Sequence, residues 1–92
     1  MAQAHSPRIQ MYSSALCPYC TMANRLLSSK GVAVEILTVD GDAGLRAQMQ
    51  TRSGRTSVPQ IFIGETHVGG CDDLHALERA GKLDALLGAE TS

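Results

Sequence analysis

The chain has 92 residues, a formal net charge of −1, 43% hydrophobic and 18% charged residues. That length fits one domain, and the composition fits a packed core better than a disordered acidic or basic segment. With no basic excess, three aromatics (Tyr12, Tyr19 and Phe62) and no apolar run of membrane-spanning length, nucleic-acid binding and membrane insertion are not expected.

Residues 1–7 read as a small, polar tail with neither a secretory hydrophobic region nor an arginine-rich import pattern, so a cytoplasmic location is expected. Arg8 to Tyr12 alternates polar and apolar, as a short strand does. After a loop at Ser13 to Leu16, Pro18 suits the first turn of a helix, where its missing N–H costs nothing, and Cys17 becomes the N-cap. Met22, Ala23, Leu26 and Leu27 then recur at helical spacing, and Gly31 supplies a left-handed stop. Val32 to Val39 is a nearly continuous apolar run, which predicts a second strand in a buried, parallel position.

Asp40-Gly41-Asp42 is a turn able to cap a second helix, which carries Leu45 and Met49 and stops near Ser53-Gly54. Val58-Pro59 leads into a third strand, Gln60 to Ile63, and Gly64-Glu65-Thr66 turns into His67-Val68-Gly69. Asp72 and Asp73 place their charge at the positive end of a last helix, ended by Gly81, with Lys82 to Leu87 as a short extra turn. The predicted order is β-α-β-α-β-β-α, an α/β fold. Its four-stranded mixed sheet has helices on both faces, a parallel right-handed crossover between the first two strands and a hairpin between the last two. The domain is expected to span residues 8–88, with 89–92 a second tail.

Three cysteines, Cys17, Cys20 and Cys71, are an odd number for a secreted disulfide framework. Cys17-Pro18-Tyr19-Cys20 carries the chemistry. The nucleophile of thiol exchange is the thiolate, and free N–H groups at a helix N-terminus stabilise an anion there. Cys17 is therefore the candidate attacking thiol, and Cys20, one turn inside the helix, the candidate resolving thiol. Two other readings stand beside this one. The cysteines can be inert core residues, or, with Cys71 and His75, a structural zinc site.

Three segments carry a family resemblance: Cys17 to Cys20, Thr56 to Ile63 and Gly69 to Leu74. In order and spacing the chain resembles the glutaredoxins, particularly the short bacterial dithiol type, from about Ile9 to Leu87. The resemblance implies a thioredoxin fold and an oxidoreductase that reduces protein disulfides and glutathione mixed disulfides, with glutathione as electron-donating co-substrate and no metal. Implied partners are glutathione and disulfide or glutathionylated proteins such as ribonucleotide reductase, met by a monomer. Family potentials of about −200 to −230 mV, against about −270 mV for thioredoxin, make such a protein the weaker reductant by ~2–3 kcal/mol.

The resemblance also implies a glutathione site. Tyr19 lines the groove beside the sulfur. The bond before Pro59 is cis, and Ser57 and Val58 offer backbone groups with which a peptide can pair as at a strand edge. Gly69 and Gly70 admit a close backbone approach, the N–H groups of Cys71 and Asp72 receive the γ-glutamyl carboxylate, and a carboxylate of Asp72 or Asp73, preferably Asp73, receives the amine. The plain alternative is that these acids only cap the helix and Cys71 is a small buried residue. The chain departs from the pattern at Ser14, where many relatives have lysine, and Arg52 or Arg55 can supply the missing charge. A glutathione-ligated iron–sulfur carrier is the alternative function. Proline and a second cysteine in the motif count against it, because carriers more often have one cysteine with glycine beside it.

Overall fold

The computed structural model describes residues 8–88; the tails expected at 1–7 and 89–92 lie outside the described residues. The element order is β1 (Ile9–Ser13), α1 (Pro18–Ser29), β2 (Glu35–Thr38), α2 (Ala43–Ser53), β3 (Gln60–Ile63), β4 (Thr66–Gly69), α3 (Cys71–Arg79) and α4 (Leu83–Gly88). The sheet runs β2-β1-β3-β4. β1 and β2 are parallel through the α1 crossover, while β1–β3 and β3–β4 are antiparallel.

Strand periodicity separates two cores. Ile9, Met11, Ile61 and Ile63 point to one face, where Ala23 and Leu27 of α1, Leu74 of α3 and Leu83 and Leu87 of α4 cover them. The alternate positions, Tyr12 and Phe62, point to the other face and pack with Val39 and with Met49 of α2. Both faces of the sheet are thus covered, as the predicted order of elements implies. On the first face Lys30, the C-cap of α1, pairs with Glu78 of α3 at 2.7 Å and Asp84 of α4 at 2.8 Å.

The second strand corrects the sequence reading. It is parallel, but it is an edge strand of four residues, and only Leu37 among them is half-buried, the other three being exposed. The apolar run is long because its halves serve different faces. Val32 and Val34 pack on the α1/α3 side before the strand begins, and Leu37 and Val39 on the α2 side. At the exposed edge Glu35 pairs with Arg8 at 2.9 Å.

The helix ends follow from local chemistry. Asp42 caps α2 by accepting from the Leu45 N–H at 2.9 Å, and Gly54 closes it in the left-handed region at φ 72°. A bulge in the last hairpin, which opposes Phe62 to His67 but Ile61 to Gly69, carries the chain past Val68 and into α3 beside the start of α1.

Candidate functional site

Pro18 occupies the first turn of α1, and Cys17 is its N-cap with extended backbone. The Cys20 N–H, one of the donors a helix start leaves unpaired, points at Cys17 Sγ at 3.2 Å. Cys17 is half-buried and Cys20 buried, and both are free thiols. Burial, with the hydrogen bond to Cys17 second, pushes the Cys20 thiol above its ordinary range. Two sulfurs three residues apart are therefore unlike: one half-buried and facing the Cys20 N–H, one buried with its thiol raised.

The loop before Cys17 is fastened from across the fold. Asp40, just after β2, accepts from the Ala15 N–H at 2.8 Å and from Ser14 Oγ at 2.7 Å. These two bonds, the backbone one first, hold its carboxyl below the ordinary range. Ser14 thus anchors the loop through its hydroxyl. Asp40 was not singled out from the sequence, because 26 residues separate it from Ser14 and no local pattern links them.

A groove of about 210 Å³ opens beside Cys17 and contains Tyr19, Ser57, Val58, Pro59, Gly70, Cys71, Asp72 and Asp73 together with Arg55 and Gln60. Eight of the nine positions that the resemblance assigned to a glutathione site therefore meet in one place; Gly69, the ninth, is not among the groove residues. A larger hollow of about 480 Å³, between Arg8, Ile9 and the segment Gly31 to Glu35, contains no cysteine. The Val58–Pro59 bond is cis, as the resemblance implies, and Val58 O lies 4.0 Å from Cys17 Sγ.

The opposite wall is the start of α3. Gly70 is its N-cap, and the Asp73 carboxylate accepts from the Gly70 N–H at 2.9 Å. The same Oδ2 pairs with Arg55 Nη1 at 3.1 Å. The Gly70 bond, then Arg55, keeps Asp73 below its ordinary range. Asp73 is thus a cap and an ion-pair partner that still borders the groove, while Asp72 is exposed. Gly69, at φ 113°, has to be glycine, since a Cβ there would lie 2.8 Å from Asp73 Cγ.

The two candidate cations divide. Arg55 is at the groove, whereas Arg52 lies over the Phe62 ring, 4.0 Å from its centroid, and bonds Tyr12 Oη and Gln10 Oε1. Cys71 is buried, and burial first, then Asp72, raises its thiol. His75 Nδ1 lies 2.9 Å from the Cys71 carbonyl oxygen. Among the described residues Cys17, Cys20, Cys71 and His75 form no cluster able to hold an ion. No described helix is long and apolar enough to cross a membrane.

Glu35, Asp40 and Asp73 all have carboxyls held low in the folded state. A folded value below the unfolded one (~4) gives stability that is fully present above about pH 4 and is lost as the pH falls through the folded values. The urea midpoint is expected to be level from pH 7 to about 5 and to drop below about 4, and Asp40→Asn to shrink the drop. An identical acid limb in that variant would contradict the assignment.

The glutaredoxin family profile matches residues 9–68. The chain is 60% identical over 83 residues to a glutaredoxin of Pseudomonas aeruginosa, covering 90% of this chain and 99% of that one. It is 56% identical over 79 residues to glutaredoxin 3 of Escherichia coli K12, covering 86% of this chain and 95% of the other. A crystal structure of a buckwheat glutaredoxin–glutathione complex superposes with a TM-score of 0.82 at 28% identity, over 90% of this chain and 78% of that one. The sheet order, the paired thiols and these likenesses agree, and the chain belongs to the glutaredoxin family, thiol–disulfide oxidoreductases of the thioredoxin fold.

Proposed function

We propose that residues 8–88 form a glutathione-dependent dithiol oxidoreductase that reduces glutathione mixed disulfides and protein disulfides. The observation that carries the reading is Cys17 at the α1 N-terminus, its sulfur facing the Cys20 N–H at 3.2 Å and lying 4.0 Å from the carbonyl oxygen of Val58, in the wall of the groove that holds Asp73 and the Ser57–Pro59 segment. The complex of the buckwheat relative with glutathione supports the choice of ligand.

The Cys17 thiolate attacks the glutathione sulfur of a mixed disulfide. The protein thiolate leaves and takes up a proton, and Cys17 carries glutathione. The thiolate of a second glutathione attacks that adduct, which yields glutathione disulfide and restores Cys17. On a protein disulfide Cys17 first forms the mixed disulfide. Cys20 then loses its proton, attacks Cys17 Sγ and expels the substrate thiolate, and two glutathiones reduce the resulting Cys17–Cys20 disulfide. Cys20 is protonated at rest, so it does not compete for the first attack.

Glutathione lies in the groove with its γ-glutamyl carboxylate at the N–H groups of Cys71 and Asp72 and its amine near Asp73. Its cysteine backbone runs along Val58 between Ser57 and Pro59, and Tyr19 and Gly70 close the sides. Arg55, held by Asp73, is the cation at the site. The partners are glutathione and disulfide or glutathionylated proteins, with ribonucleotide reductase a candidate, acted on by a cytoplasmic monomer.

The test is turnover of a glutathionylated peptide with glutathione as the sole electron donor. Turnover that needs glutathione is expected; none, or equal rates with an unrelated monothiol, overturns the reading. Ser14→Lys adds a cation beside the loop, partly balanced by Asp40 at 2.7 Å from the present hydroxyl. A surface pair is worth ~0.2–1 kcal/mol, so the KM for the peptide should fall by about 1.5- to 5-fold; an unchanged KM contradicts the charge argument.

A further inference from the structure

One polar chain runs from β4 through Gln60 to the groove. Gln60 opens β3 with 1% of its surface exposed, so its amide depends on protein partners. The Ser57 carbonyl can only accept, and it lies 3.0 Å from Gln60 Nε2, which fixes the orientation of the amide. Gln60 Oε1 therefore faces His67 Nε2, 2.8 Å away, and that nitrogen must carry a hydrogen.

His67 sits on β4 directly opposite Phe62, and their rings stack at 4.8 Å between centroids with 28° between planes. The Arg52 guanidinium also lies over the Phe62 ring. The imidazole is thus set by a rigid stack and by one hydrogen bond, and it is not among the residues that border the groove. Ser57, at the end of the chain, is exposed and outside the sheet ladder, whereas Pro59 beside it is buried.

We propose that His67 is a positioning residue: through Gln60 it holds the Ser57 carbonyl, and with it the Ser57–Pro59 wall against which the glutathione moiety of the substrate packs. The proposal rests on the glutathione-dependent reading above. It assigns His67 an effect on substrate affinity and none on the reactivity of Cys17, which is set at the start of α1.

The experiment uses a glutathionylated peptide with the full chain. His67→Phe keeps the ring on Phe62 and removes the donor, leaving Gln60 Oε1 without its partner. Its KM is expected to rise about tenfold, equivalent to about 1.4 kcal/mol, with kcat within about twofold of wild type. The rate of Cys17 alkylation by iodoacetamide is expected to be unchanged. His67→Gln, which returns an N–H at similar reach, should restore most of the KM. Gln60→Glu, which keeps an acceptor for His67 but sets an oxygen against the Ser57 carbonyl, should raise KM similarly; it serves as the second variant if His67→Phe fails to fold.

A folded His67→Phe with wild-type KM overturns the proposal. So does a fall in kcat and alkylation rate together, which is damage to the fold, or a high KM that His67→Gln does not restore. Wild-type turnover of the same peptide is the control: its absence counts against the glutathione reading, whereas its presence with an unaffected His67→Phe counts against His67 alone.

Discussion

Serine in place of Cys20 is expected to leave reduction of a glutathionylated peptide within a few-fold of wild type and to abolish turnover of a protein disulfide. Serine in place of Cys17 is expected to abolish both. The asymmetry follows from position. Cys17 is the half-buried N-cap, facing the Cys20 N–H; Cys20 is buried, and its thiol is raised first by burial. The Cys20→Ser change keeps the backbone N–H that points at Cys17 Sγ, so the first attack survives. What disappears is the internal thiol that releases a trapped protein partner, and the start of α1 holds no second thiol to take over that attack. Cys71 cannot stand in for Cys17, because it is buried with its thiol raised. Substantial mixed-disulfide turnover by Cys17→Ser would transfer the nucleophile to another residue.

The second large effect concerns stability and binding together. Gly69→Ala is expected to destabilise the protein by about 2–4 kcal/mol, combining ~1–3 kcal/mol for a non-glycine residue at positive φ with ~1 kcal/mol for a disturbed helix cap. Gly69 is buried at φ 113°, and its added carbon would press on the carboxylate that accepts from the Gly70 N–H and pairs with Arg55. Affinity for the glutathionylated peptide should fall with it, since that carboxylate borders the groove. Asp73→Ser shortens the side chain being struck. Gly69→Ala in that background should therefore cost less than in the wild type, a non-additivity measurable by urea unfolding of the four proteins. Strict additivity would show that the backbone angle alone makes glycine necessary.

The start of α1 and its two cysteines were legible because the signals are local: a proline in the first helical turn, a cysteine before it, another one turn on. The two-faced core was legible from the element order, whose crossovers place helices on both faces, and Met11 and Tyr12 duly point to opposite sides of β1. The second strand misled because an unbroken apolar run does not say which residues lie inside the strand. Val32 and Val34 bury themselves before it starts, and the strand itself forms an exposed edge.

The groove around Pro59 and Gly70 was reached through family resemblance, since nothing within either segment says that they meet. Contacts across long separations carried no signal at all. Asp40 reaches Ser14 over 26 residues, and Arg55 reaches Asp73 over 18. Gln60 left a trace that could have been followed: an amide at the start of an otherwise apolar buried strand needs a partner, and His67 lies seven residues on.

The most direct measurement is to mix the Cys20→Ser variant with excess glutathionylated peptide, quench with acid, and map the modified cysteine by mass spectrometry. One glutathione on Cys17, removed again by added glutathione, is the predicted result. Glutathione on Cys71, or a Cys17 joined to the peptide and never to glutathione, would contradict it.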